Sequence, residues 1–452
     1  MMRSIKSISV PISNSRTMLF IIISSLLTIL IIDTTLSKIS NLGIYVSSFA
    51  QMQLAFFTVA ALLAVLWQYL ILVYVKSKSK EIRSKRRLHV FTIHIVVTIA
   101  QYFIASIVIV VALQLALASH YSTIMLTIAT GISYTLSIIV LGLLAQQFFS
   151  WFKSNRNSVV LSYALSVVMI AANAVFTLIL VVTILSGSRP TDIFSHIGVD
   201  SLPIDPGSIL SYVNNAFFVS SLTSFMFTWI ATALVLRHYS RTLGRVKFWV
   251  ILSLPLVYFI SQFLTLFLNL FAPLIQSNPV LFTTLLTIIF ASSQSVGGIL
   301  FAVAFWLVSK KIPKNNVLRD YISISAIGII LLFTSNQASV LVNVPYPPLG
   351  LVTISFMGLS CYLVLLGLYS AAISVSQDLK LRKSIRNSAE EQLRLFDSIG
   401  KAHMEQEIER NVINITREYK DTMIEETGVY SSMTEDEVKQ YLHVVLQEIE
   451  PK

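Results

Sequence analysis

Residues 51–87 read QMQLAFFTVAALLAVLWQYLILVYVKSKSKEIRSKRR. Positions 51–75 carry no charge; then come Lys76, Lys78, Lys80, Arg83, Lys85, Arg86 and Arg87. An uncharged apolar run of about 20 residues or more is what an α-helix needs to cross the hydrocarbon core of a bilayer. A dense Lys/Arg cluster directly after it marks the cytoplasmic side. These residues therefore predict one crossing and its direction.

Working outward, the same unit recurs. The expected spans are about 17–34, 51–75, 89–117, 123–150, 158–185, 209–236, 248–270, 281–308, 321–342 and 350–374. The fold class is an all-α integral membrane bundle of about ten transmembrane helices. Basic residues alternate with it. Twenty of the 22 Lys and Arg before residue 377 fall in the N-terminal tail and in the loops after spans 2, 4, 6 and 8. Only Lys38 and Arg189 lie on the other side. Both termini are thus expected in the cytoplasm, with the protein multi-pass in the plasma membrane. Trp151, Trp249 and Trp306 fall at the inner ends of spans, where aromatic belts form. The basic start followed by an apolar run also fits a signal peptide, although no A-x-A-like site follows. A retained helix and a cleaved one both satisfy the alternation.

The composition agrees. The 452 residues are 55% hydrophobic and 12% charged, with a mean hydropathy of +0.75. Soluble chains carry roughly 25% charged residues. A soluble enzyme, a disordered chain and a nucleic-acid binder with charge on a folded surface are excluded. The net charge of +11 divides by position: residues 1–376 carry +16 and residues 377–452 carry −5. The expected domains are therefore a transmembrane part, 1–376, and a cytoplasmic helical tail, 377–452.

In the tail, Leu381, Ile385, Leu393, Phe396 and Ile399 form one stripe, and Ile408, Val412, Ile415 and Tyr419 another. Spacings of three and four mark amphipathic helix. Ser398, Ile399 and Gly400 read as a break and Gly428 as a stop. Thr434 and Glu437 form a capping box before a helix with Val438, Tyr441, Leu442, Val445, Leu446 and Ile449 on one face. That apolar surface must bury on the rest of the tail, the inner loops, a second copy or a protein partner. The acidic tail docking on the basic residues 76–87 is one such arrangement. Those residues otherwise bind anionic lipid or only fix topology.

Chemistry is conspicuous by its absence. No Lys, Arg, Asp or Glu is expected inside a span, with Asp33 placed at the outer end of the first. Intramembrane ionisable residues mark proton relays, voltage sensors and ion coupling. The seven histidines show no metal-pair spacing, and nucleotide, hydrolase and zinc-protease motifs are missing. Cys361 is alone, so it forms no internal disulfide. No cofactor or metal is implied, nor is a catalytic residue.

What remains is uncharged polarity. His94, Thr98 and Gln101 share a face, as do Tyr258, Gln262, Thr265 and Asn269. The run Ser292–Ser295 before Gly297 and Gly298 suggests a local helix break, and Pro255 a kink. Tyr258, Gln262, Asn269, Gln294 and Asn336 are candidates to line one intramembrane cavity. They equally suit hydrogen-bonded glue between helices. Segment 186–208, SGSRPTDIFSHIGVDSLPIDPGS, reads as a linker between two five-span halves or as an outer lid.

The stretch VPYPPLGLVTISFMGLSCYLVLLGLYSAAISVSQDLKLRKSIR, residues 344–386, resembles an uncharacterised archaeal family of polytopic membrane proteins. DSIGKAHMEQEIERNV and DTMIEETGVYSSMTEDEVKQYL in the tail fit the same resemblance. It covers most of the chain and implies no activity and no site residue. Two readings follow from the residues themselves: a non-enzymatic sensor or scaffold acting through its tail, or a facilitative transporter or channel for a neutral or weakly polar solute.

Overall fold

A computed structural model describes residues 16–40, 47–78, 88–118, 120–187, 208–237, 239–261, 272–312, 316–336, 347–377, 394–427, 436–438 and 440–442. Among the described residues there are helices and turns but no strand. The helices are α1 (Arg16–Ser40), α2 (Ser47–Lys78), α3 (Leu88–Ala118), α4 (Thr123–Ser154), α5 (Ser158–Gly187) and α6 (Ile209–Leu236). Next come α7 (Tyr239–Leu243), α8 (Arg245–Ser261), α9 (Ala272–Ser277), α10 (Pro279–Ala291) and α11 (Ser293–Lys311). The last four are α12 (Val317–Ser335), α13 (Leu351–Ser355), α14 (Met357–Gln377) and α15 (Arg394–Thr427).

Eight helical segments among the described residues are long and apolar enough to cross a membrane, the shortest being Val317–Ser335. The chain is a multi-pass membrane protein. Its outward faces carry bare apolar side chains, among them Val59, Leu62, Ile99, Phe103, Ile139 and Leu254. In water such a surface would aggregate; against lipid it is matched. The expected first span is also helical, but its described apolar stretch, Ile21–Ser37, is shorter. The expected seventh begins as α8 and runs through Pro255 without interruption; its second half, 262–271, lies outside the described residues.

Neighbouring contacts close a ring: α1, α2, α3, α4, α5, α6, α11, α12 and back to α1. α5 and α6, on either side of the 186–208 segment, pack directly, so that segment does not divide two separate bundles. Inside the ring run α13 and α14, against α1, α2, α3, α4 and α12. Every residue from Pro347 to Leu368 is buried. The sequence explains this helix's depth. A Cβ on Gly328 would stand 2.7 Å from the backbone N of Val364, and one on Gly367 would stand 2.7 Å from the backbone N of Ser325. Two helices without a hydrophobic drive to associate in lipid gain most from such close backbone approach.

The first turns of α15 are part of the same body. Leu395, Phe396, Ile399, Ala402 and His403 are buried at one end of the bundle, here termed the tail end. The expected break at Ser398–Gly400 is not there: α15 is continuous through it. Gly400 serves proximity instead, because a Cβ there would meet Val375 Cγ1 at 2.4 Å. Trp151, expected at the membrane interface, is fully buried, edge-on to Phe148. Trp249 and Trp306 are about half exposed, and Lys310 Nζ sits 3.6 Å from the Trp306 ring centre.

Candidate functional site

The last span is broken at its start, and the break organises the polar residues around it. Pro347 and Pro348 prevent a helix from running in from before. Turns follow, with Leu349 N–H on Pro347 O and Leu351 N–H on Pro348 O. Gly350 takes φ +95°, a left-handed conformation open to glycine, and starts α13. After five residues the ladder fails at Phe356. Three consecutive β-branched residues, Val352, Thr353 and Ile354, crowd this turn. Ser355 Oγ turns back on Val352 O at 2.6 Å, the local competition that bends helices. Phe356 N–H bonds Thr353 O, and the helix resumes with Ser360 N–H on Phe356 O.

A break in lipid frees backbone carbonyls that water cannot reach, and neighbouring side chains must satisfy them. Two ring helices do so at this joint, and a third holds the Ser355 hydroxyl. Ser133 of α4 donates to Ile354 O at 2.7 Å. Gln101 Nε2 of α3 donates to Ser355 O at 2.9 Å. Gln68 Nε2 of α2 donates to Ser355 Oγ at 2.8 Å. Lower on α3, His94 Nδ1 and the Tyr362 hydroxyl of α14 are 2.8 Å apart. The stripe His94–Thr98–Gln101 thus has its explanation: His94 and Gln101 hold the central span, while Thr98 bonds its own helix at His94 O.

From α1 comes Asp33, inside the helix and fully buried. Its Oδ2 accepts from Thr353 N–H at 3.1 Å and from Thr353 Oγ1–H at 2.7 Å. The Gly350 N–H faces the same carboxylate. Gly350 occupies the N-cap of α13 and has no side chain to cap with; Asp33 supplies the cap from another helix. Among the described residues, Asp33 Oδ1, Gln68 Oε1 and Gln101 Oε1 are buried without a hydrogen-bond partner. Sequence reasoning passed over Asp33, Gln68, Ser133 and Thr353. The available signal was the Pro-Pro-x-Gly start followed by a β-branched run, which demands outside caps and donors.

The five cavity candidates are distributed differently. Tyr258 OH donates to Ile289 O and lies 3.3 Å from Ser292 Oγ, at the interruption between α10 and α11. That interruption falls within the serine run, at Ser292 (φ −95°, ψ 0°), while Gly297 and Gly298 lie inside α11. Gln294 Nε2 donates to Ser221 Oγ of α6 at 3.4 Å. Asn336 caps the end of α12 and donates to Asn173 Oδ1 of α5 at 3.0 Å. Asn173 in turn donates to Phe217 O and Ser220 Oγ of α6. Tyr258, Gln294 and Asn336 are each tied to a different neighbour, and no hydrogen bond joins them. Gln262 and Asn269 lie outside the described residues.

Of the basic cluster, Lys78 pairs with Asp320 of α12 at 2.8 Å and Lys76 is exposed. Lys80, Arg83, Lys85, Arg86 and Arg87 lie outside the described residues. The tail seats on other ground. Asn157 Nδ2 donates to Ser398 Oγ at 2.7 Å, and Gln406 Nε2 to Ser150 O, Ser150 Oγ and Ser154 Oγ. Phe396 meets Phe305 edge-on, and His403 meets Tyr369 of the central span edge-on. Further along α15, Ile415 and Tyr419 are exposed.

Among the described residues no group of three His, Cys, Asp or Glu side chains is placed to hold a metal. No protein-family model, curated protein or solved structure matches the chain.

Proposed function

We propose that this is a ten-span plasma-membrane protein with both ends in the cytoplasm, acting as a non-enzymatic sensor or scaffold through its tail. Membership of the archaeal family that residues 344–386 resemble belongs to the same proposal. The observation that carries it is the root of α15. Gly400 lies on Val375 and His403 on Tyr369, both of the central span. A shift of that span against its ring is thereby passed to a helix whose outer part presents Ile415 and Tyr419 to solvent. The polar side chains of the spans support this reading too. Gln68, Gln101, Ser133, Asn173 and Asn336 are used in bonds between helices, while most span hydroxyls bond a carbonyl of their own helix.

The test is affinity purification in mild detergent of three proteins: the full chain, one ending at Glu409 and one ending at Ser376. A partner retained by the full chain and lost on truncation at Glu409, with the bundle still monodisperse, supports the proposal. The same set of proteins recovered with all three overturns it.

A second reading, a facilitative transporter or channel for a neutral solute, is favoured by the interruptions at Ser292 and Phe356. Discontinuous spans commonly frame transport sites. Solute flux into liposomes that is unaffected by removing the tail would establish it.

A further inference from the structure

We propose that Asp33 and the start of the last span form a binding site for a monovalent cation, with sodium as the fitting ion. The inference does not depend on whether the protein senses, scaffolds or transports.

Three oxygens of α1 gather around one hydroxyl of the last span, making a cluster of four. Thr353 Oγ1 lies 2.7 Å from Asp33 Oδ2, 3.3 Å from Leu30 O and 3.4 Å from Thr34 Oγ1. Asp33, Thr34 and Thr353 are all buried. The set is a carboxylate, two hydroxyls and a carbonyl. Hard oxygen donors of this kind suit small hard cations and offer nothing to softer transition metals.

The charge state of Asp33 is the second argument. A buried carboxylate is tolerated when it is paired, bound to a cation or protonated. Among the described residues no Lys, Arg or His pairs with Asp33; Lys78, the basic residue buried in part at the tail end, is engaged by Asp320. Protonation fits the geometry poorly. Oδ2 already accepts two donors, the Thr353 N–H and O–H, and donors of that kind favour the charged form. A proton would have to sit on Oδ1, which is buried and has no hydrogen-bond partner among the described residues. A cation beside Oδ1 answers both the missing partner and the missing charge. It would share the Thr353 and Thr34 hydroxyl oxygens, which can accept while donating.

Such a cation would join α1 to the joint of the last span, so its binding would stabilise the folded bundle by mass action. The experiment is thermal unfolding of the purified full-length protein in detergent. Unfolding is followed in sodium chloride, potassium chloride and choline chloride at one ionic strength, and at two pH values. In the wild type, Tm is expected to rise by about 4 °C at a hundredfold excess of sodium over its Kd. Choline should give no rise. Asp33→Asn should lose the sodium response, and Thr353→Val should weaken it by about tenfold in Kd. Should Asp33→Asn fail to fold, the ion selectivity of the wild type and the Thr353→Val shift decide the matter. Equal Tm in all three salts overturns the proposal. So does a Tm that follows pH and ignores the cation, which would mean a proton on Asp33, or a sodium response retained in Asp33→Asn.

Discussion

Gly400 of the tail helix rests on Val375 of the central span so closely that a methyl in place of its hydrogen would stand 2.4 Å from Val375 Cγ1 and 2.7 Å from its Cβ. Neither atom is the far end of a flexible side chain, so the neighbour has little room to give. Gly400→Ala is favoured by about 1 kcal/mol from helix propensity alone. Overpacking at a tight contact costs about 1–3 kcal/mol, and the two helices must separate to relieve it. The expected outcome is a looser tail on an intact bundle. Limited proteolysis checks it: cleavage within 394–410 should speed up in Gly400→Ala and more so in Gly400→Leu, while thermal unfolding of the spans changes little.

The joint at Phe356 depends on two donors to adjacent carbonyls, Ser133 on Ile354 O and Gln101 on Ser355 O. Ser133→Ala and Gln101→Leu each leave one buried carbonyl without that donor. Each is expected to destabilise by about 1 kcal/mol, within the range found for hydrogen bonds between membrane helices. Because the carbonyls are neighbours in one short break, the double variant should depart from additivity. Thermal unfolding in detergent of the two singles and the double measures this. A Tm unchanged in both singles would show that the joint is held by packing alone.

The pattern of apolar runs and basic loops is legible in the sequence because lipid imposes it residue by residue. Periods, lengths and Lys/Arg placement need no partner to be read. The polar interior is less legible, for a physical reason. Gln101 looked like part of a stripe on α3, but what it does is set by a broken helix some 250 residues later, to which it bonds at Ser355 O. In the sequence Asp33 stands near the end of its apolar run, where a charge asks for no partner. Its role is set by α13, whose N-cap, Gly350, has no side chain to cap with. By propensity Gly400 is a helix breaker, yet tertiary contact with Val375 keeps it in the helix. Propensity is a local quantity, and the bundle overrides it where two backbones must nearly touch.

Asp320 and Lys78 link α12 to α2 at the tail end, 2.8 Å apart and both partly exposed. An ion pair in that setting contributes about 0–1 kcal/mol. Lys78→Ala is therefore expected to shift Tm by no more than about 2 °C. Gly328→Leu, at the crossing of α12 with α14, should behave very differently. Its Cβ alone would meet the Val364 backbone N at 2.7 Å and Leu363 Cβ at 2.9 Å. Backbone cannot rotate away, so the bundle must open, and the variant should lose its monodisperse peak on size-exclusion chromatography in detergent. The contrast separates a contact that merely decorates the tail end from one that sets the interhelical distance.

Ile415 and Tyr419 lie one turn apart on α15 and are 52% and 69% exposed. They continue the spacing of Ile408 and Val412, both half-buried, away from the docked root of the helix. Two exposed apolar side chains contribute nothing to the packing of the spans, so Ile415→Ser with Tyr419→Ser should leave thermal unfolding of the bundle within about 0.5 kcal/mol of wild type. If the tail acts by presenting this stripe, the same pair of changes removes apolar area at the centre of the contact, where a few residues dominate binding. Co-purification of a tail-dependent protein should then fall about tenfold or more, while the docked root, reported by protease resistance at 394–410, stays as in the wild type. Unchanged co-purification would move the contact to another part of the tail. A fall in bundle stability would mean that the stripe is covered by the protein itself.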